Sequence, residues 1–132
     1  MHEAIIACYR DLLKKGFEHA GFLKEASIFL RNFGEVSPVC GNTDDFMYLY
    51  LNVVDNVISE IRYQCICDPA SNVAIEIFCS LVEGKTLSEA AMVKEEAFLQ
   101  FLDCEDEGMR EKAGFLLDLL NEGIQTYQAQ RS

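Results

Sequence analysis

The run from Phe46 to Cys65 constrains this chain more than any other stretch. It reads FMYLYLNVV, then Asp55-Asn56, then VISEIRYQC. Two apolar, β-rich runs joined by two residues that tolerate φ > 0 predict an antiparallel hairpin. Strand alternation puts Met47, Leu49, Leu51 and Val53 on one face of the first strand and Phe46, Tyr48 and Tyr50 on the other, so both faces are partly apolar. Residues Ala26 to Phe33 (ASIFLRNF) supply a further strand.

Helical spacing takes over on either side. Ile6, Tyr9, Leu12 and Leu13 recur near the helical period from about Glu3, and Gly16 ends the pattern. At Asp68-Pro69 a favoured cap meets a favoured first helical residue, and Val73, Ile77 and Leu81 follow at helical spacing toward Gly84. Thr86-Leu87-Ser88-Glu89 is a capping box for a short helix, another starts near Val93, and a last one from about Glu107 carries Ala113, Leu116, Leu117, Leu120, Ile124 and Tyr127 on one stripe. The order implies an α+β fold, a small antiparallel three-stranded sheet packed on one face by several helices, with residues 1–132 as one domain.

Charge excludes one class of partner. Twenty-two acidic against eleven basic side chains give a formal charge of -11, with no Lys/Arg cluster, so phosphate backbones are repelled and nucleic acid is not expected. The opening MHEAIIACYRDLLKK lacks the long apolar run of a secretory signal, and no segment approaches the roughly 20 apolar residues that span a bilayer. A cytoplasmic protein without membrane contact is the expectation. In a reducing compartment, the six cysteines suggest thiol chemistry or metal ligation rather than disulfides.

Two motifs are set aside. Gly84-Lys85-Thr86 looks like the end of a phosphate loop, but that motif needs a glycine where Cys79 stands. His2 and His19 are not spaced as a metal pair and read as surface residues. Cys65-Ile66-Cys67 is the stronger signal. At the end of a strand, alternation sends both sulfurs to one side about 6.6 Å apart at the backbone, which suits two ligands of one metal centre better than a disulfide. The helix N-terminus that follows favours thiolate, the metal-binding form. Cys40 sits in a turn before the hairpin, Cys104 in the acidic loop LDCEDEG is open to a ligand or an incidental role, and Cys8 and Cys79 fall among apolar helical residues and read as packing.

The stretch from Gly34 to about Val93 resembles the NifU/IscU-type iron-sulfur cluster assembly scaffolds. Their pattern is a Cys-Gly-Asp loop, two strands, a Cys at a strand-helix junction and a helix ending in Gly-Lys-Ser/Thr-Leu-x-Glu-Ala. Cys40-Gly41 resembles the first loop, Tyr63 to Cys67 covers the second cysteine, and Gly84 to Ala90 is the most literal match. The resemblance implies a SufE/NifU-like fold and a non-enzymatic scaffold or carrier. In that family three cysteines and an aspartate bind a transient 2Fe-2S cluster, loaded by a cysteine desulfurase and passed to apo iron-sulfur proteins. Cys40 becomes one ligand and Cys65 or Cys67 the next, Cys67 being preferred although a one-residue gap is needed.

This chain departs from the pattern at three places. Asn42 replaces the aspartate two residues after the first cysteine, leaving Asp44 or Asp45 to substitute. The third family cysteine falls at about Leu116, with Phe115 in place of a preceding histidine. The proline-rich loop grasped by the family's chaperone is missing, since no proline follows Pro69. The expected site is therefore Cys40, Cys65, Cys67 and Cys104 with Asp44, four thiolates that suit a 2Fe-2S cluster, iron or zinc. The alternatives are a zinc-binding or metal-free adaptor of a desulfurase and a persulfide carrier. A homodimer is left open.

Overall fold

The computed structural model describes residues 1–33, 38–39 and 44–131. In chain order the elements are α1 (Glu3–Lys15), β1 (Ile28–Phe33), β2 (Phe46–Val54), β3 (Val57–Ile66), α2 (Pro69–Val82), α3 (Leu87–Ala91), α4 (Glu95–Leu102) and α5 (Glu107–Arg131). The three strands form one antiparallel sheet in the order β1-β2-β3, which is the predicted α+β arrangement.

The hairpin closes through Asp55 and Asn56, with φ of 51° and 64°, so the right-handed twist of the strands is matched by two left-handed turn residues. Met47 lies opposite Cys65 and Leu49 opposite Tyr63, and a register shift at Asn52/Val53 interrupts the ladder near the turn. Along β2 every second side chain from Met47 to Val53 is buried. These residues, with Ile28, Leu30, Ile58, Ile61 and Tyr63, form the sheet's contribution to a single cluster of buried residues completed by the helices. The opposite face keeps an aromatic stack, with Phe29 at ring distances of 5.6 Å from Tyr48 and 5.2 Å from Tyr50.

Helix α2 packs on β3 and on α1, while α5 packs on β1, α2 and α4. Caps fix where they start. His2 accepts from the Ala4 N–H at 3.0 Å, Asp68 from the Ser71 N–H at 2.8 Å, and Thr86 and Glu89 close the predicted capping box at 3.1 and 2.9 Å.

The outer edge of β3 is covered by two stretches of backbone. His19 and Gly21 bracket Tyr63, whose N–H donates to His19 O at 2.9 Å and whose carbonyl accepts from Gly21 N–H at 2.8 Å. Farther along, Gly84 N–H donates to Ile58 O at 2.7 Å and Ile58 N–H to Lys85 O at 2.8 Å. Gly84 adopts φ 86° to make this turn, so the Gly-Lys-Thr segment here pins the sheet edge and removes exposed strand donors.

Candidate functional site

The site is built where β3 gives way to α2. Hydrogen bonding to β2 holds the strand to Ile66, α2 starts at Pro69, and only Cys67 and Asp68 lie between them. Cys65 and Cys67 are each half-buried, with Sγ atoms 2.8 Å apart. Strict alternation predicted side chains leaving in parallel from well-separated positions. The difference has a local cause: Cys67 lies past the last strand residue, so the sheet no longer fixes its direction.

The Cys65 thiol ionises more readily than an ordinary cysteine because Cys67 hydrogen-bonds to it and stabilises the thiolate. Partial burial and the charges of Asp45, Asp68 and Glu76 oppose this. The sulfur partner, rather than the helix end expected from the sequence, is the main cause. Cys65 opens into a shallow cleft of about 390 Å³, with Phe17, Gly21, Phe46 and Asn72 among its walls. Tyr63, also on the cleft, donates its hydroxyl to Asn72 Oδ1 at 2.9 Å, and burial together with neighbouring Glu76 keeps it a neutral phenol.

The remaining expected residues fall in different places. Cys40 lies outside the described residues. Just before it, Val39 is buried and the Pro38 carbonyl accepts from Lys112 Nζ at 2.7 Å. Asp44 is exposed, whereas Asp45 is buried and its charge acts on Cys65, so of the two carboxylates it is Asp45 that belongs to the thiol environment. Cys104 sits between α4 and α5, after Asp103 in the left-handed conformation. Burial and its own loop's Asp106, Glu105 and Asp103 push its thiol toward the protonated form.

Among the described residues no three His, Cys, Asp or Glu side chains converge to hold a metal ion, so neither Asp44 nor Cys104 completes a three-donor group with Cys65 and Cys67. Leu116, at the third family position, is fully buried in the core. Cys79 is fully buried in α2 with its thiol pushed well up by desolvation, as packing cysteines are. Two thiolates alone fall short of the four donors a tetrahedral thiolate centre uses.

His19 corrects the surface assignment. It is 5% exposed, with Nδ1 2.6 Å from Glu76 Oε1 and Nε2 3.2 Å from Glu83 Oε1. Its backbone N–H also donates to Glu76 Oε1 at 3.2 Å. A signal was present in the sequence: Glu76 is a lone acid among Val73, Ala74, Ile75, Ile77 and Phe78, and a carboxylate buried there needs a partner. The pair locks the His19–Gly21 stretch against β3 and thereby shapes one wall of the Cys65 cleft.

No protein-family model and no curated protein matches this chain. Solved structures do. A proposed iron-sulfur cluster assembly scaffold protein for the SUF system from Fervidobacterium islandicum AW-1 superposes with a TM-score of 0.64 at 13% identity, covering 94% of this chain and 96% of that one. The N-terminal part of a nitrogen-fixing NifU-like protein from Brucella abortus gives 0.63 at 11% identity over 97% and 94%. A hypothetical protein gives 0.64 at 14% identity over 95% and 99%. The chain has the NifU/IscU-type fold.

Proposed function

We propose that this chain is an iron-sulfur cluster assembly scaffold or carrier without catalytic turnover, in which Cys65 and Cys67 grip iron or a 2Fe-2S cluster as cargo and Cys40 supplies a third thiolate. The observation that carries this reading is the pair of cysteine sulfurs 2.8 Å apart at the strand-helix junction of a NifU/IscU-type fold. Two thiolates on one tetrahedral ion, at about 2.3 Å each, stand about 3.8 Å apart, so the pair has only to open by about 1 Å to accept one. Cys65 contributes a thiolate favoured by the hydrogen bond from Cys67, and Asp45 is the carboxylate of the set. Cys104 is left out because its surroundings are its own acidic loop. A cysteine desulfurase as sulfur donor and apo iron-sulfur proteins as recipients complete the proposal, with residues 1–132 acting as one domain in the cytoplasm.

Anaerobic reconstitution with iron and sulfide tests it. The wild type is expected to develop the visible absorption of sulfide-bridged iron, and Cys40→Ser, Cys65→Ser and Cys67→Ser each to lose most of it, while Cys104→Ala retains it. Iron-free wild type after reconstitution would reject the scaffold reading, and zinc retained by the same three cysteines would move the function to the zinc-binding adaptor.

A second reading is favoured by the ease with which Cys65 ionises: this thiolate attacks the outer sulfur of a desulfurase persulfide and takes up one sulfur atom, leaving the donor cysteine as a thiol. A mass gain of one sulfur on Cys65 without iron distinguishes it.

A further inference from the structure

We infer that Cys65 and Cys67 form a reversible dithiol-disulfide couple that exchanges with low-molecular-weight disulfides, a reaction distinct from holding metal. The two sulfurs are 2.8 Å apart, and a disulfide needs about 2.05 Å, so closure calls for less than 1 Å of movement. Both residues are half-buried rather than sealed, and Cys65 lines an open cleft. Cys79, by contrast, is fully buried and out of reach of a reagent in solution.

The chemistry balances without any further reactant. One sulfur of the pair, as thiolate, attacks a disulfide RSSR, forms a mixed protein-S-SR bond and releases one RS⁻, which takes up the proton the thiol gave up. The second sulfur of the pair, giving up its own proton, attacks the protein sulfur of that bond and expels the other RS⁻. The pair has then lost two electrons and two protons, and RSSR has become two RSH. Because the second attack is intramolecular between sulfurs already in contact, it outruns the first, and the mixed disulfide does not accumulate. Asp45, Asp68 and Glu76 place negative charge around Cys65, so a neutral disulfide approaches more easily than an anionic one.

The couple is tested on the folded, metal-free full chain with hydroxyethyl disulfide, followed by acid quench, alkylation of remaining thiols and peptide mapping. The expected result is loss of two thiols as an intramolecular Cys65–Cys67 disulfide, reversed by dithiothreitol. Cys65→Ser and Cys67→Ser, checked for native circular dichroism, should each stop at a mixed disulfide on the remaining cysteine. The inference is overturned if the wild type keeps both thiols while other cysteines react, if it accumulates a lasting mixed disulfide at either position, or if the bridge forms to another cysteine. The same reaction after loading with zinc separates this inference from the ligand proposal: protection by zinc supports both, whereas Cys65–Cys67 disulfide formed equally fast with and without zinc supports the couple and removes the pair from the metal site.

Discussion

His19 and Glu76, 57 residues apart in the chain, meet at 2.6 Å with both side chains 6% exposed. Removing the imidazole leaves the buried Glu76 side chain with the residue-19 backbone N–H but without its ring partner, and a buried polar group that loses a hydrogen-bond partner typically costs about 1–3 kcal/mol. His19→Ala should therefore lower stability by about that amount in urea unfolding, and loosen the edge cover on β3. A loss under about 1 kcal/mol, the size of an exposed pair, would show that the contact contributes little.

Cys65 owes its ready ionisation first to Cys67. In Cys67→Ala the hydrogen bond is gone while burial, Asp45, Asp68 and Glu76 still oppose the thiolate, so the pKa of Cys65 must rise. The rate of iodoacetamide alkylation at Cys65, followed against pH by peptide mapping, should turn on at higher pH in the variant than in the wild type. An unchanged or lower midpoint would contradict the assignment of Cys67 as donor.

Asp68 has two roles that different substitutions separate. Its side chain caps α2, and its charge raises the pKa of Cys65. Asp68→Asn keeps a cap and removes the charge, so stability should be nearly unchanged while Cys65 alkylation turns on at lower pH. Asp68→Ala removes both and should also cost about 1 kcal/mol in unfolding.

Two glycines of α5 should respond in opposite directions to alanine. A Cβ on Gly123 would stand 2.6 Å from Leu30 Cδ2 and 3.1 Å from Ile28 Cγ2, both in the packed core. The overpacking, about 1–3 kcal/mol, outweighs the helix propensity gained, so Gly123→Ala should be destabilising. On Gly114 the nearest atom is Glu95 Oε1 at 2.9 Å, on a side chain 42% exposed that can swing away. Gly114→Ala should raise stability by up to about 1 kcal/mol. Thermal melts of both variants check the sign.

What could be read from the sequence is what short-range rules govern. The Asp55-Asn56 turn, the alternation of β2, the Asp68-Pro69 helix start and the Thr86/Glu89 capping box depend on residues at most a few positions apart, and all formed as expected. His19 escaped because its partners are on α2 and beyond it, and no local pattern marks a histidine for burial. The Cys65–Cys67 distance escaped because it depends on the strand ending one residue before Cys67. The choice between Asp44 and Asp45 turned on which way the chain enters β2. The role of Gly84 as an edge cover likewise needed the path of β3 alongside it.

The sulfur pair stands on backbone secured from both directions, by the β2 ladder through Ile66 and by a proline-started helix from Pro69. Donors already held side by side surrender little freedom when something seizes them. Under the proposed function, retention of cargo would then be governed by the additional donor recruited from elsewhere in the chain, and release would proceed by letting go of that one grip while the junction itself stays put.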